Sequence, residues 1–446
     1  MSEDVLHAPI RRHLVMTTLT MMVGMMAMMG FGLLDTWFIS LLGTTPLAAI
    51  SFTFPVTFSL ISLMIGMGVG TSAILGRLIG SGQLAAARRM AVVALVVASS
   101  IMLLAALVGL LLAPHLFRWM GADSATLPLI LHFMQIWFFG CSLLAISMVG
   151  NAIFRAFGNI RIPSLVMVVA SLVNLLLDPV LIFGWGPVPA LGLTGAALAS
   201  VASWLTGSGM MLWMLTCRYR LLDSSGWQAH LAADVRQLLQ IALPAALTNM
   251  LTPLATVLMT TLVAGFGREA VAAYGVGGRI ESIACLFILT MSMVLPPFIS
   301  QNQGAGRLDR VHLGYKEAIR LVCLVQLAIA CVLFVLAPLL ASWFSQEASV
   351  QSVISQYLRV LPLAYAAQGV IILTNSSFNA MHQPKRALGL SLMRFFVFYV
   401  PLSWLLAQWW QLSGVFFGGV LANLLCATLA YLWFNDSVNN MEPDEL

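Results

Sequence analysis

Two aspartates lie inside long apolar stretches of this chain, Asp35 and Asp178. A charged side chain at the centre of a bilayer costs roughly 2.5–3.5 kcal/mol on insertion scales, so such residues persist where they face protein or water and have a partner. Burial also disfavours the ionised form of a carboxyl group, which makes both residues candidates to take up a proton or to bind a small cation. We therefore expect a buried acidic site that exchanges a cation.

Asp178 has a second polar residue and a proline beside it. Asn174 lies four positions earlier, so the two side chains share one face of a helix. Pro179 lacks an amide hydrogen and clashes with the carbonyl of Leu175, which predicts a bend in that helix. An amide and a carboxyl at a bend favour an ion or proton site. The alternative is an Asn–Asp pair that only holds neighbouring helices together.

Asp35 follows Gly30 and Gly32, which soften a helix and permit either a bend or the close approach of a neighbour. Its position favours a functional role, and the alternative is a residue at the membrane–water boundary. Glu281 is the third acid inside an apolar segment, out of 16 acidic residues. Arg279 is only two positions away and does not face Glu281 on a helix. Structural and functional roles are equally open for Glu281.

The composition requires that membrane-spanning helices hold these acids. Of 446 residues, 60% are hydrophobic and 8% are charged, against roughly 25% charged residues in a soluble domain. Backbone amides inside a bilayer must be satisfied within the protein, which leaves helices or a closed barrel. The apolar stretches far exceed the roughly 10 residues of a barrel strand and do not alternate. The predicted fold class is an all-α integral membrane protein.

About twelve apolar stretches reach the roughly 20 residues that a crossing helix needs. They form two groups of six, and because six is even, both groups enter the membrane from the same side, as in a parallel repeat. The predicted spans are 14–40, 46–75, 90–113, 125–149, 161–184, 192–216, 238–264, 270–300, 314–338, 350–378, 387–407 and 413–434.

The two halves repeat at an offset of 224 residues, but the acids break the symmetry. Asp35 corresponds to Met259, and Asp178 to Leu402. We predict an N-lobe over 1–216 with the buried acids, a cytoplasmic connector over 217–237 and a C-lobe over 238–446. The connector is either a tether between moving lobes or a plain surface linker. The offset relates like residues in pairs: Gly43 and Gly267, Gly82 and Gly306, Pro114 and Pro338, Trp119 and Trp343, Asn151 and Asn375, Phe154 and Phe378.

Basic residues concentrate on one side of this threading. The opposite loops hold only Arg118 and Arg268, with Arg359 near the start of a span, whereas Arg394 counts among the basic residues of the majority side. The positive-inside rule then places both termini in the cytoplasm. The net charge of +5 reflects this bias and gives no reason to expect nucleic-acid binding. The first apolar stretch is too long for a cleavable signal peptide.

The chain resembles the MATE (multidrug and toxic compound extrusion) transporters over nearly its whole length. The buried acids of the N-lobe match the branch related to the DNA-damage-inducible bacterial members. The resemblance is carried by Asp35 in the first span and by four runs: Asn-Leu-Leu-Leu-Asp-Pro at 174–179, Gly-Leu-Thr-Gly-Ala-Ala at 192–197, Gln-Asn-Gln-Gly-Ala-Gly at 301–306 and Ala-Ile-Phe-Arg-Ala-Phe-Gly at 152–158.

The resemblance implies a twelve-span fold of two six-helix lobes and export of lipophilic, often cationic compounds. Export is driven by inward flow of protons or sodium through alternating access, and no enzyme activity is expected. In the matching branch the cation site lies in the N-lobe, which assigns it to Asp35, Asn151, Asn174, Asp178 and Thr194.

The C-lobe has fewer candidates. A sister branch carries acids on spans seven and ten, and the stretches 238–264 and 361–378 contain none here, so a sodium site in this lobe is not expected. Glu281, Gln368 and Asn375 are candidate residues of the substrate cavity. Helix-packing hydrogen bonds are the alternative role for the two amides.

We expect protons rather than sodium as the coupling ion, no cofactor beyond that ion, a monomer, and the bacterial inner membrane as the location. Ionised Asp35 and Asp178 would attract a cationic amphiphile, whose apolar body packs on methionine side chains, of which there are 26. Protonation would then favour outward release. The alternatives are a lipid or oligosaccharide flippase of the wider superfamily, an integral-membrane enzyme and a channel. The small number of basic residues at membrane depth argues against a flippase. The spans hold no catalytic cluster, which argues against an enzyme. The confinement of the acid pair to one half fits a coupled cycle better than a channel.

Overall fold

The computed structural model describes residues 3–440, and the regular structure in that range is helical, as the composition predicts. π-Helical turns cover Met214–Arg218 and Met393–Tyr399, and short 3₁₀ turns cover Trp227–His230 and Leu361–Ala364. The α-helices are α1 (Glu3–His7), α2 (Ile10–Ser40), α3 (Thr44–Gly80), α4 (Leu84–Trp119), α5 (Leu127–Ala156), α6 (Arg161–Phe183), α7 (Leu193–Trp213), α8 (Leu231–Ala264), α9 (Arg268–Ala284), α10 (Leu286–Gly304), α11 (Leu308–Phe344), α12 (Ala348–Val360), α13 (Tyr365–Ala380), α14 (Pro384–Leu392) and α15 (Val400–Asn439).

The helices account for the twelve crossings expected of the fold. Within residues 3–440, ten helical stretches are long and apolar enough to span a membrane, and α9 with α10 forms an eleventh across a 44° bend. One of the ten, Pro384–Asn439, has 56 residues, which at 1.5 Å per residue is about 84 Å against a hydrocarbon core of about 30 Å. Non-helical backbone at Trp410 and Gln411 divides this stretch into two crossings.

The repeat predicted from the sequence is visible in the backbone. Gly43 and Gly267, one offset apart, precede α3 and α9 with φ of 108° and 109°. Gly158 and His382, also one offset apart, both have positive φ, 77° and 60°. A left-handed conformation is costly for a side chain such as that of His382. Both halves of the repeat therefore have the same turn geometry at this point, although the second half has His382 where the first has Gly158.

The offset shortens to 219 residues before the last helix of each half. Gly192 and Gln411 share one backbone conformation, with φ of 58° and 50° and ψ of −132° and −134°. Three residues further on, a Cβ at Gly195 or at Gly414 would overlap a carbonyl oxygen of the preceding crossing. Both halves therefore use the same close helix approach after the same turn, although the second half has the shorter connection.

The chain packs as two compact units. The first unit comprises residues 19–246, and the second comprises 3–18 with 247–440. Residues 217–237, the predicted connector, contact the first unit: Asp234 pairs with Arg89 at 3.6 Å, and the amide of Asp223 donates to the Arg88 carbonyl at 3.4 Å. The outer limits predicted for the lobes, residues 1 and 446, lie outside the described residues.

Two arginines beside the start of α11 hold the N-terminal segment inside the second unit. Arg307 Nη1 donates to the Leu6 carbonyl at 2.6 Å. Arg310 Nη2 donates to the Val5 and Ala8 carbonyls at 3.3 and 3.0 Å. Carbonyls at the end of a helix lack intrahelical partners, and cations there are favourable. We call these contacts the N-terminal clasp.

Candidate functional site

Helix α6 positions the first half of the predicted acid site. Asp178 is 1% exposed and accepts a hydrogen bond of 3.4 Å from Asn174 Nδ2 at its Oδ1. The spacing of four residues aligns the two side chains along one helix face, as predicted. Helix α6 continues through Pro179 to Phe183, and the missing amide of Pro179 leaves the Leu175 carbonyl without its usual donor. The bend expected at this proline stays a prediction.

Helix α2 brings Asp35 to the same place. The helix is uninterrupted from Ile10 to Ser40. Its close approach to a neighbour is at Gly24, where a Cβ would lie 3.0 Å from Ser164 Cα on α6. A Cβ at Gly30 or Gly32 would meet nothing within 4 Å, so these two glycines do not serve a close helix contact.

The Asp35 and Asp178 carboxyl groups lie within hydrogen-bonding reach of each other. Asp35 Oδ1 is buried and receives no hydrogen bond from the described residues. Two carboxylates in contact repel each other unless a proton or another cation lies between them. The arrangement can therefore hold one small cation, and Asn174 stabilises the carboxyl that it contacts.

The structure does not join the remaining predicted cation ligands to this pair. Asn151 is 5% exposed on α5, and its Oδ1 receives no hydrogen bond from residues 3–440. Thr194 is half-buried at the N-terminal end of α7. Within the described part of the chain, no hydrogen bond links either residue to Asp35 or Asp178. Their role in cation binding stays a prediction.

The C-lobe candidates have different surroundings. Glu281 Oε2 accepts a hydrogen bond of 2.7 Å from the hydroxyl of Tyr357. Asn375 Nδ2 donates to Ser391 Oγ at 2.8 Å, which ties α13 to α14 and fits the packing role. Gln368 is half-buried on α13. Of the three, only Glu281 belongs to a cluster of ionisable side chains.

The sequence reasoning missed one residue of that cluster, Arg394. It was counted with the basic residues that flank the spans, but the structure places it ten residues beyond Pro384, the first residue of α14. That is about 15 Å along a helix, or half of a hydrocarbon core of about 30 Å. The predicted span 387–407 already contained this arginine, so its depth was readable from the sequence.

Known proteins resemble this chain over most of its length. The MatE family profile matches residues 20–180 and 244–405. A FAD transporter from Shewanella oneidensis is 38% identical over 427 residues, covering 96% of this chain and 94% of that protein. The multidrug export protein MepA of Staphylococcus aureus is 23% identical over 432 residues, covering 95% and 93%.

Among solved structures, the Vibrio cholerae MATE transporter VcmN in the bent form has the same fold. It superposes with a TM-score of 0.92 and 31% sequence identity, covering 96% of this chain and 97% of that one. The family profile covers both halves of the repeat, including the helices that carry Asp35 and Asp178. This multi-pass membrane protein therefore belongs to the MATE family and is a transporter of small molecules, not an enzyme.

Proposed function

We propose that the protein exports small organic compounds across the bacterial inner membrane in exchange for protons. The observation that carries the proposal is the contact between the Asp35 and Asp178 carboxyl groups within the first unit. Membership of the branch with its cation site in the N-lobe is part of the same proposal. So are the monomeric state, the cytoplasmic position of both termini, supported by the bias of basic residues, and the absence of any cofactor beyond the coupling ion.

The charge of the acid pair is the quantity that changes during the proposed cycle. A proton taken up from outside lies between the carboxyl groups of Asp35 and Asp178 and removes their mutual repulsion. Because the protonated pair attracts a cationic substrate less strongly, proton uptake favours substrate release, and by reciprocity substrate binding favours proton release. Return of the proton to the cytoplasm restores the negative charge for the next substrate.

Lipophilic cations are the first substrate class that we propose. The negative charge of the ionised pair supports this class, and so do relatives that are named for multidrug export. The 26 methionines supply flexible, polarisable surfaces that tolerate varied shapes.

A flavin dinucleotide is a second candidate substrate. It is favoured by the 38% identity to a protein named as a FAD transporter, compared with 23% and 24% to the multidrug export relatives. The phosphates of a dinucleotide are negative, so the acid pair cannot attract them. This substrate requires a cationic residue elsewhere in the protein.

Efflux from proteoliposomes tests the coupling. Purified protein is assayed for ethidium and FAD transport under an imposed pH gradient or sodium gradient, with Asp35→Asn, Asp178→Asn and the exposed Asp309→Asn as a matched control. We expect a pH gradient, but not a sodium gradient, to drive transport. Asp35→Asn and Asp178→Asn should each lower the transport rate by at least about tenfold, the equivalent of about 1.4 kcal/mol. Wild-type transport rates in Asp35→Asn and Asp178→Asn would refute the proposal, and transport driven only by a sodium gradient would refute proton coupling.

A further inference from the structure

We propose that Arg394 and the tyrosines around it in the second unit form a binding site for the phosphate group of an anionic, aromatic substrate. The inference rests on the dinucleotide candidate of the proposed function, and it assigns that substrate's negative charge to Arg394. The site is made by the π-helical turn Met393–Tyr399 and the neighbouring helices α9, α12, α13 and α15. π-Helical turns are frequent at functional sites.

The fold itself does not require an arginine at this place. Under the 224-residue offset, Arg394 corresponds to Ala170 in the first half. The Ala170 carbonyl accepts a hydrogen bond from Ser203 at 2.6 Å, so this copy of the helix packs closely with a methyl side chain. A basic side chain at membrane depth carries a cost of a few kcal/mol, on the order of 3 kcal/mol at the helix centre. Arg394 is therefore a feature of the second half alone that needs a reason other than packing.

One hydrogen bond orients the guanidinium group of Arg394, and its remaining donors can still bind a ligand. Arg394 Nε donates to Asn423 Oδ1 at 3.2 Å, and Asn423 Nδ2 donates to the Gly419 carbonyl at 2.8 Å, which fixes the amide. The guanidinium carbon lies 5.0 Å from the centre of the Phe395 ring. Within the described residues, neither terminal nitrogen of Arg394 has a hydrogen-bond partner. Two parallel N–H groups in a held plane are the geometry that binds a phosphate in bidentate fashion.

Glu281 lies near Arg394 without forming an ion pair with it. The two side chains are close enough to interact electrostatically. In the described part of the chain, however, their charged atoms do not come within the 4 Å of a salt bridge. Glu281 instead accepts the hydroxyl of Tyr357. An arriving phosphate would therefore meet attraction from Arg394 and repulsion from Glu281. The two side chains should have opposite effects on anion binding.

Tyrosine hydroxyls and rings complete the site. Tyr365 is 1% exposed, and its hydroxyl has no hydrogen-bond partner in residues 3–440, although it lies close enough to Glu281 and Tyr399 to interact with them electrostatically. The rings of Tyr274 and Tyr357 are 5.8 Å apart in an edge-to-face arrangement. Phenol hydroxyls donate to phosphate oxygens, and the rings pack against a flavin or purine.

The first half of the repeat lacks these hydroxyls. At the four positions one offset earlier it carries side chains without a hydroxyl, namely Ile50, Phe133, Cys141 and Leu175. The Asp35–Asp178 pair lies in one copy of the repeat, and this set of donors lies in the other. The division indicates that cation coupling and recognition of an anionic substrate are assigned to different halves.

Binding of FAD and of riboflavin, which has no phosphate, tests the inference. Dissociation constants are measured by flavin fluorescence with purified, folded protein for wild type, Arg394→Gln, Arg394→Lys and Glu281→Gln. We expect wild type to prefer FAD over riboflavin, and Arg394→Gln to reduce this preference by about tenfold, the effect of losing charge-assisted hydrogen bonds. Arg394→Lys should restore part of it. Glu281→Gln should strengthen FAD binding, because it removes the opposing charge.

Several outcomes would overturn the inference. Equal affinity of wild type for the two flavins, or the same loss of both flavins in Arg394→Gln, would show that Arg394 has only a structural role. Weaker FAD binding in Glu281→Gln would identify the cluster as a cage for cations. If Arg394→Gln does not fold, the Lys and Glu281 variants decide the matter. Proton-driven ethidium export without any FAD binding would refute this inference and leave the coupling proposal intact.

Discussion

At the residue scale, the hydrogen bond between Asn174 and Asp178 is the contact that we expect to tune the acid site. At 3.4 Å it is long, so its loss should cost about 1 kcal/mol, or roughly fivefold in rate. We predict that Asn174→Ala lowers proton-driven efflux by about this factor and less than Asp178→Asn does. The exposed Asn440→Ala is the matched control. A loss as complete as that of Asp178→Asn would place Asn174 among the essential cation ligands.

The two candidate acids of the N-lobe could be singled out from the sequence residue by residue, but the surroundings of Glu281 could not. Asp35 and Asp178 stand out because an acid in an apolar stretch is costly, whatever the packing. Glu281 looked isolated because its partner Tyr357 is 76 positions away in the sequence. Arg394 was missed because a rule that counts basic residues by side treats an arginine inside a span as part of its flank.

At the element scale, Gln411 has a positive-φ backbone conformation that a glycine, Gly192, adopts at the corresponding turn of the first half. Gln411 and Gly192 have nearly the same φ and ψ, and holding a residue with a side chain in this sparsely populated region costs about 1–3 kcal/mol. We predict that Gln411→Gly raises the melting temperature of the purified transporter, whereas Gly192→Ala lowers it. The two substitutions are each other's control. A lower melting temperature for Gln411→Gly would mean that the Gln411 side chain makes stabilising contacts.

The N-terminal clasp is a second prediction for an element. Arg310 contacts two carbonyls at the end of α1, and α2 continues from residue 10 without interruption to Asp35. We predict that Arg310→Ala speeds amide hydrogen exchange in residues 3–18 by about tenfold, because opening this segment then breaks fewer hydrogen bonds. Arg320→Ala, an exposed arginine on the same helix, is the control. Unchanged exchange would show that Arg307 and apolar packing suffice.

At the scale of the whole molecule, the twelve crossings and the repeat were readable from the sequence, whereas the packing of residues 3–18 with the second unit was not. Apolar length and the 224-residue offset are properties of the chain itself. That residues 3–18 pack with the second unit depends on contacts with Arg307 and Arg310, about 300 positions away. No local sequence pattern in the first helix predicts these partners, because every helix ends in carbonyl groups without intrahelical hydrogen bonds.

The assignment of coupling and recognition to separate units leads to a test of their independence. Asp35 lies in the first unit and Arg394 in the second, and they share no partner among the described residues. Substitutions at sites without shared partners have additive effects. We predict that Asp35→Asn abolishes the response to a pH gradient but keeps the preference for FAD over riboflavin, and that Arg394→Gln does the reverse.

The double variant Asp35→Asn with Arg394→Gln should show both defects, each of the size seen in the single variant, within about 0.5 kcal/mol, or a little over twofold. Equilibrium binding and gradient-driven uptake are measured on the same preparations, so that a folding defect would appear in both. A preference for FAD that falls in Asp35→Asn as far as in Arg394→Gln would contradict the assignment. The acid pair would then act directly on substrate recognition, because removing its charge would change which flavin the protein selects.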